Sequence, residues 1–154
     1  MNSKTATIIY QSKRGTTQKY AAEIAFYLKS KGIETKVTSV AKFKAGDIEN
    51  ADYIFFGCWT SGLLFILQHP EKEWVEFANK LPQNSLAKTA LFTTYKVRTG
   101  SMFSNMKKLL KSKTQEATLL LQSRNGELNE LNKNLIDKFI EQPNNFLILS
   151  LLYK

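Results

Sequence analysis

Residues 5–17 read Thr5-Ala6-Thr7-Ile8-Ile9-Tyr10-Gln11-Ser12-Lys13-Arg14-Gly15-Thr16-Thr17. The first six are β-branched or apolar on both sides of the chain, the pattern of a short strand buried on both faces of a parallel sheet. From Gln11 the chain turns polar and carries a glycine, so a loop follows. Thr17 is placed to cap a helix reaching about Lys31, with Tyr20, Ala21, Ile24, Ala25 and Leu28 at helical spacing and Gly32 as its stop.

The same alternation continues outward from that stretch. Strands are expected at Thr35–Val40, Tyr53–Gly57, Thr89–Thr94 and Ala117–Gln122, all read as apolar throughout. Helices are expected at Glu71–Leu81, after Ser101 as a cap, and from Glu127 to about Gln142, with Leu128, Leu131, Leu135 and Phe139 turned inward in the last. Asp47–Asp52 reads as a short helix or turn. Strands alternating with helices mean an α/β fold, a three-layer αβα sandwich around a five-stranded parallel sheet. Right-handed crossovers and a polar first βα loop fit the doubly wound strand order 2-1-3-4-5. In such sheets ligands bind at the carboxyl ends of the strands, so the loops after strands 1, 3 and 4 carry the functional question.

Length and composition agree with one domain. The chain has 154 residues and three prolines, 43% hydrophobic and 12% aromatic, enough to bury a core without staples. The expected domain is 1–142, with 143–154 an apolar tail (Phe146 to Tyr153) packed on the domain or on a second subunit, which would make a homodimer. One cysteine, Cys58, rules out an internal disulfide, and with a single histidine, His69, no metal site of nitrogen and sulfur ligands is expected. The amino-terminal residues show no signal-peptide pattern and no apolar run reaches a membrane span, so a soluble, cytoplasmic protein away from membranes is expected.

The formal net charge is +9, and it is segregated. Residues 1–46 carry +7 and residues 86–115 carry +7 with no acid, whereas 47–85 carry −4 and 116–154 carry −1. Such a field keeps a protein soluble, and it also draws anions: phosphate, nucleic acid or an acidic partner.

Ser12-Lys13-Arg14-Gly15-Thr16-Thr17 suits a phosphate. A helix start offers unpaired N–H groups and a positive dipole end, Gly15 admits close backbone approach, the hydroxyls donate, and Lys13 and Arg14 add charge. It is neither the Gly-Lys-Ser/Thr nucleotide loop nor the Gly-x-Gly-x-x-Gly fingerprint. The same residues would serve equally as a hydroxyl-rich cap with exposed charges.

With its Ser12, Gly15 and Thr17 on the first strand–helix junction, the chain resembles the flavodoxin-like family, whose phosphate loop is Ser/Thr-x-Thr/Ser-Gly-x-Thr. Arg14 departs from the usual hydroxyl. The order of elements matches from about Thr5 to Gln142. The resemblance implies non-covalently bound FMN and electron transfer through it, with a redox protein as partner. It implies that Gly57-Cys58-Trp59-Thr60-Ser61-Gly62 lines one side of the flavin ring, with Trp59 as a stacking residue (or else core) and the backbone of Thr60, Ser61 and Gly62 at the polar edge. It further implies that Thr93-Thr94-Tyr95-Lys96-Val97-Arg98-Thr99-Gly100 is the second ring loop, matching best at Tyr95 and Gly100. The expected cofactor-binding set is therefore Ser12, Lys13, Arg14, Gly15, Thr16, Thr17, Trp59, Thr60, Ser61, Gly62, Thr94, Tyr95, Lys96 and Gly100.

Lys96 and Arg98 replace family glycines, and Val97 stands where an aromatic often stacks. Family members are usually acidic around the ring. The cations here imply a less negative potential and an acidic redox partner. Cys58 reads as a small buried hydrophobe, and His69-Pro70 as a turn leading into a helix. Among the loops no general acid or base stands out, so no catalytic residue is assigned. Both a simple electron carrier and a small oxidoreductase, including one like the quinone-linked flavodoxin-domain oxidase that acts on a porphyrinogen, are consistent with that. A flavin-free basic module on the same fold, recruiting an acidic protein or nucleic acid, is the alternative; the basic segments lack the interleaved aromatics of a single-strand binder, so nucleic acid is not the expected partner.

Overall fold

The computed structural model describes residues 2–61, 70–84 and 86–144. The elements in chain order are β1 (Thr5–Gln11), α1 (Thr16–Ser30), β2 (Glu34–Ser39), a single 3-10 turn (Ala45–Asp47), β3 (Tyr53–Trp59), α2 (Lys72–Lys80), β4 (Lys88–Thr94), α3 (Met102–Leu110), β5 (Leu119–Ser123) and α4 (Glu130–Glu141). The five strands form one parallel sheet in the order β2-β1-β3-β4-β5. This is the α/β doubly wound sandwich that the alternation of strands and helices predicts.

Period-two burial builds the two outer layers. Along β3, Tyr53 and Phe55 face one side and Ile54, Phe56 and Cys58 the other. On the first side α1 and α4 supply Tyr20, Ile24, Leu28, Ile136 and Phe139. On the second, α2 and α3 supply Trp74, Phe77, Met102, Met106 and Leu110. Gly57 sits directly across from Phe92 in the β3–β4 register, and the Phe92 ring lies over the space a Cβ would take.

Several local expectations are corrected. The edge strands are not apolar throughout: β2 is largely exposed, and β5 alternates, with Leu120 and Gln122 facing out. An edge strand lacks a helix on one face, so polar residues cost nothing there. Leu131, expected inside, is 66% exposed. Helix α4 begins at Glu130 rather than Glu127, because Asn129 caps it by accepting from the Asn132 N–H at 2.9 Å; Leu131 then falls on the solvent side of the first turn, whose inner position is taken by Asn132, while Leu128 enters the core from the loop. Ser101 occupies the cap position of α3 without a side-chain cap hydrogen bond. Thr17 is not the cap of α1 either; Gly15 is. No helix among the described residues is long and apolar enough to cross a membrane. The tail expectation for Phe146–Tyr153 and the His69 turn fall outside the described residues.

Candidate functional site

The carboxyl ends of β1, β3, β4 and β5 open into one cavity of about 380 Å³. Ser12, Lys13, Arg14, Thr16 and Thr17 form one wall, Trp59 and Thr60 another, and Thr94, Tyr95, Lys96, Val97 and Arg98 a third, with Arg124 closing the side of β5.

The first wall is built by a turn. Ser12 Oγ accepts the Gly15 N–H at 3.0 Å, and Gly15 adopts φ 89, a left-handed conformation that costs a side-chain-bearing residue about 1–2 kcal/mol. Helix α1 starts immediately afterwards with no side-chain cap, so the N–H groups of Thr16, Thr17 and Gln18 have no intrahelical acceptor. Thr17 is buried, and its hydroxyl is engaged with that of Thr94 at 2.6 Å, which ties the helix start to the end of β4. The loop after β5 buttresses the same turn. Gly126, at φ 78, comes so close that a Cβ there would stand 2.6 Å from the Thr16 carbonyl oxygen.

The second wall is an extension of the sheet rather than a loop. Trp59, placed by the sequence beyond the strand, is the last residue of β3 and pairs with Thr94. Its indole N–H donates to Glu71 Oε2 at 2.8 Å, and the Lys13 ammonium sits over its ring at 4.9 Å. Trp59 is half-buried against the second core and lines the cavity with the rest of its surface. Thr60 is fixed by its N–H to the Thr94 carbonyl at 2.7 Å and by its hydroxyl to Thr93 at 2.9 Å. Cys58, just below, is fully buried, and burial pushes its thiol up to about 12, so it is a structural residue rather than a nucleophile.

On the third wall the Arg124 guanidinium lies over the Tyr95 ring at 5.6 Å and donates to the Val97 carbonyl. Lys13, Arg14, Lys96, Arg98 and Arg124 thus line one cavity with no acid among the described lining residues.

Of the expected residues, Gly15, Ser61 and Gly100 stand in the neighbouring loops without lining the cavity, Gly62 lies outside the described residues, and the rest converge on it. Sequence reasoning missed Arg124 and Glu71. The rule that ligands meet strand ends applied equally to the loop after β5, Arg124-Asn125-Gly126, and would have found the first.

A family model described as Flavodoxin matches residues 8–141. Among curated proteins none matches the sequence. Solved structures with this fold include the two-electron reduced flavodoxin of Megasphaera elsdenii, with TM-score 0.70 and 21% identity over 89% of this chain and 99% of that one. The oxidised Flavodoxin 1 of Bacillus cereus gives 0.67 and 16% over 91% and 99%. The flavodoxin of Streptococcus pneumoniae TIGR4 gives 0.67 and 17% over 89% and 95%.

Proposed function

Because the chain belongs to the flavodoxin family, whose cofactor is FMN and whose members pass electrons to redox partner proteins, we propose that it holds FMN in the strand-end cavity and works as an electron carrier with a basic docking face. One observation carries the placement: an uncapped helix start and two aromatic rings share a single cavity lined by five cations.

The residues fit that cofactor. The N–H groups of Thr16, Thr17 and Gln18, the Ser12 and Thr16 hydroxyls, and the charges of Lys13 and Arg14 suit a phosphate. The Thr17 hydroxyl is occupied by Thr94, so Thr17 offers its backbone. Trp59 and Tyr95 supply flat apolar surfaces for the ring. FMN, when bound, supplies one- and two-electron transfer; the protein binds it, orients it and sets the local field. Lys96, Arg98 and Arg124 exceed what one phosphate requires. Their field stabilises the negative charge a flavin gains on reduction and attracts an acidic partner.

Titration of the purified protein with FMN, followed by absorbance, tests the reading. Saturable uptake is expected, and Arg14→Ala is expected to weaken it about fivefold, ~1 kcal/mol for an exposed charge. A protein that takes up no FMN overturns the proposal. Potentiometry on the complex is expected to give a final reduction step less negative than that of flavodoxins with acidic surroundings; a strongly low-potential second step would contradict it.

A further inference from the structure

The carboxylate of Glu71 is placed to act on the cavity from behind. Glu71 stands at the cap position of α2, yet its side chain makes no cap hydrogen bond. It turns instead toward the strand ends, where Oε2 accepts from the Trp59 indole N–H at 2.8 Å and from the Gln11 amide at 3.0 Å. Its backbone N–H faces Cys58 Sγ at 3.5 Å. One oxygen therefore joins the ends of β1 and β3 to the start of α2. A cap site has orphan N–H groups that a short oxygen-bearing side chain such as Ser, Thr, Asp or Asn would ordinarily satisfy. The longer side chain of Glu71 reaches past them and holds the indole.

We propose that Glu71 is a positioning residue, which fixes Trp59 through its indole N–H and sets a negative counterweight behind a ring wall otherwise faced by cations. The inference rests on the cofactor placement above, but its first consequence does not need FMN. A carboxylate accepting from the indole N–H makes a charge-assisted bond, holds the ring in one plane and pushes electron density into it. Lys13 over the ring face gains from that density, because a cation is drawn to the ring's negative face. Trp59 is thereby held between an anion at its edge and a cation over its face. Toward a flavin, an electron-rich indole and a nearby negative charge both favour the oxidised, electron-poor ring over the reduced one. Glu71 thus opposes the field of Lys96, Arg98 and Arg124.

The test substitutes Glu71→Gln in the full chain, which keeps shape and one acceptor but removes the charge. Without FMN, the indole N–H resonance of Trp59 is expected to move upfield as the charge-assisted bond weakens. With FMN, the ratio of dissociation constants for oxidised and reduced cofactor is expected to shift at least threefold in favour of the reduced form, read as a rise in potential. In a Trp59→Phe background, where the N–H is gone, the same substitution is expected to shift the logarithm of that ratio by less than half as much. An unmoved indole resonance overturns the positioning role whether or not FMN binds. An unchanged ratio, or an equal shift in both backgrounds, overturns the action through Trp59. If FMN fails to bind wild type while the resonance moves as expected, the cofactor reading falls and the positioning of Trp59 stands.

Discussion

Replacing Gly57 with alanine is expected to destabilise the fold by about 3 kcal/mol, the upper end of what overpacking a rigid core costs. A Cβ at this position would stand 2.0 Å from Phe92 Cζ and 2.1 Å from Cε2. Neither side can give easily. Phe92 is fully buried and meets Tyr20 edge-on at 5.8 Å, so its ring is fixed from the helix side. Gly57 lies inside β3, paired with both β1 and β4, so its backbone is fixed too. Urea unfolding should show a lower midpoint with an unchanged slope, the mark of lost stability rather than an altered unfolded state. Phe92→Leu should recover part of the loss in the double variant, giving a coupling energy of at least ~1 kcal/mol between neighbours in contact. A Gly57→Ala protein as stable as wild type would show that the Phe92 ring has room to move.

The second large effect is a dependence on alkaline pH centred on Cys58. Its thiol is fully buried, and burial raises it from 9.0 to about 12. A group whose folded value lies above its unfolded value contributes stability in full below the unfolded value and loses it as pH climbs toward the folded one. From pH 8 to pH 10.5 the loss assigned to this one thiol is about 2 kcal/mol. Tyr20, raised by burial, adds a loss of the same sign. Lys88 works the other way. Its ammonium, lowered by burial, donates to the Phe139 and Gln142 carbonyls at the end of α4, and its contribution improves as pH approaches 10.5. Cys58→Ala isolates the thiol from the rest. At neutral pH the variant should be about 1 kcal/mol less stable because a small cavity remains. Its stability should then fall less steeply than that of wild type above pH 9, and above pH 10 it should become the more stable of the two. Parallel curves for the two proteins from pH 8 to pH 10.5 would refute the assignment.

The architecture was legible because a parallel sheet covered on both faces writes itself into the strands as continuous apolar runs. Thr7-Ile8-Ile9 and Ile54-Phe55-Phe56 are buried to 3% exposure or less on either side, and no half-exposed strand reads that way. The same rule misread the edges, where Lys36 and Gln122 sit in strands with one face in water. Within the candidate site, local chemistry pointed to the turn from Ser12 to Thr17, since a hydroxyl-rich helix start is a short-range feature. Assigning Thr17 as the cap failed for a long-range reason: its hydroxyl is bound to Thr94, 77 residues away. Glu71 and Arg124 were invisible for the same cause. A glutamate at a helix start looks like ordinary first-turn charge, and an arginine after a strand looks like solvated charge, until the fold brings Trp59 and Tyr95 beside them.

Gly126 against the Thr16 carbonyl also fixes when the site can come into being. The turn that would cradle a phosphate is encoded within the first 17 residues, but its support arrives 110 residues later. Contacts of such sequence separation form only after the intervening loop entropy has been overcome. A chain emerging from a ribosome therefore carries the binding turn long before it carries the buttress, and must have released β5 and the residues after it before the turn is held. An anionic cofactor drawn to that turn would discriminate between a finished domain and one still lacking β5 and the residues after it.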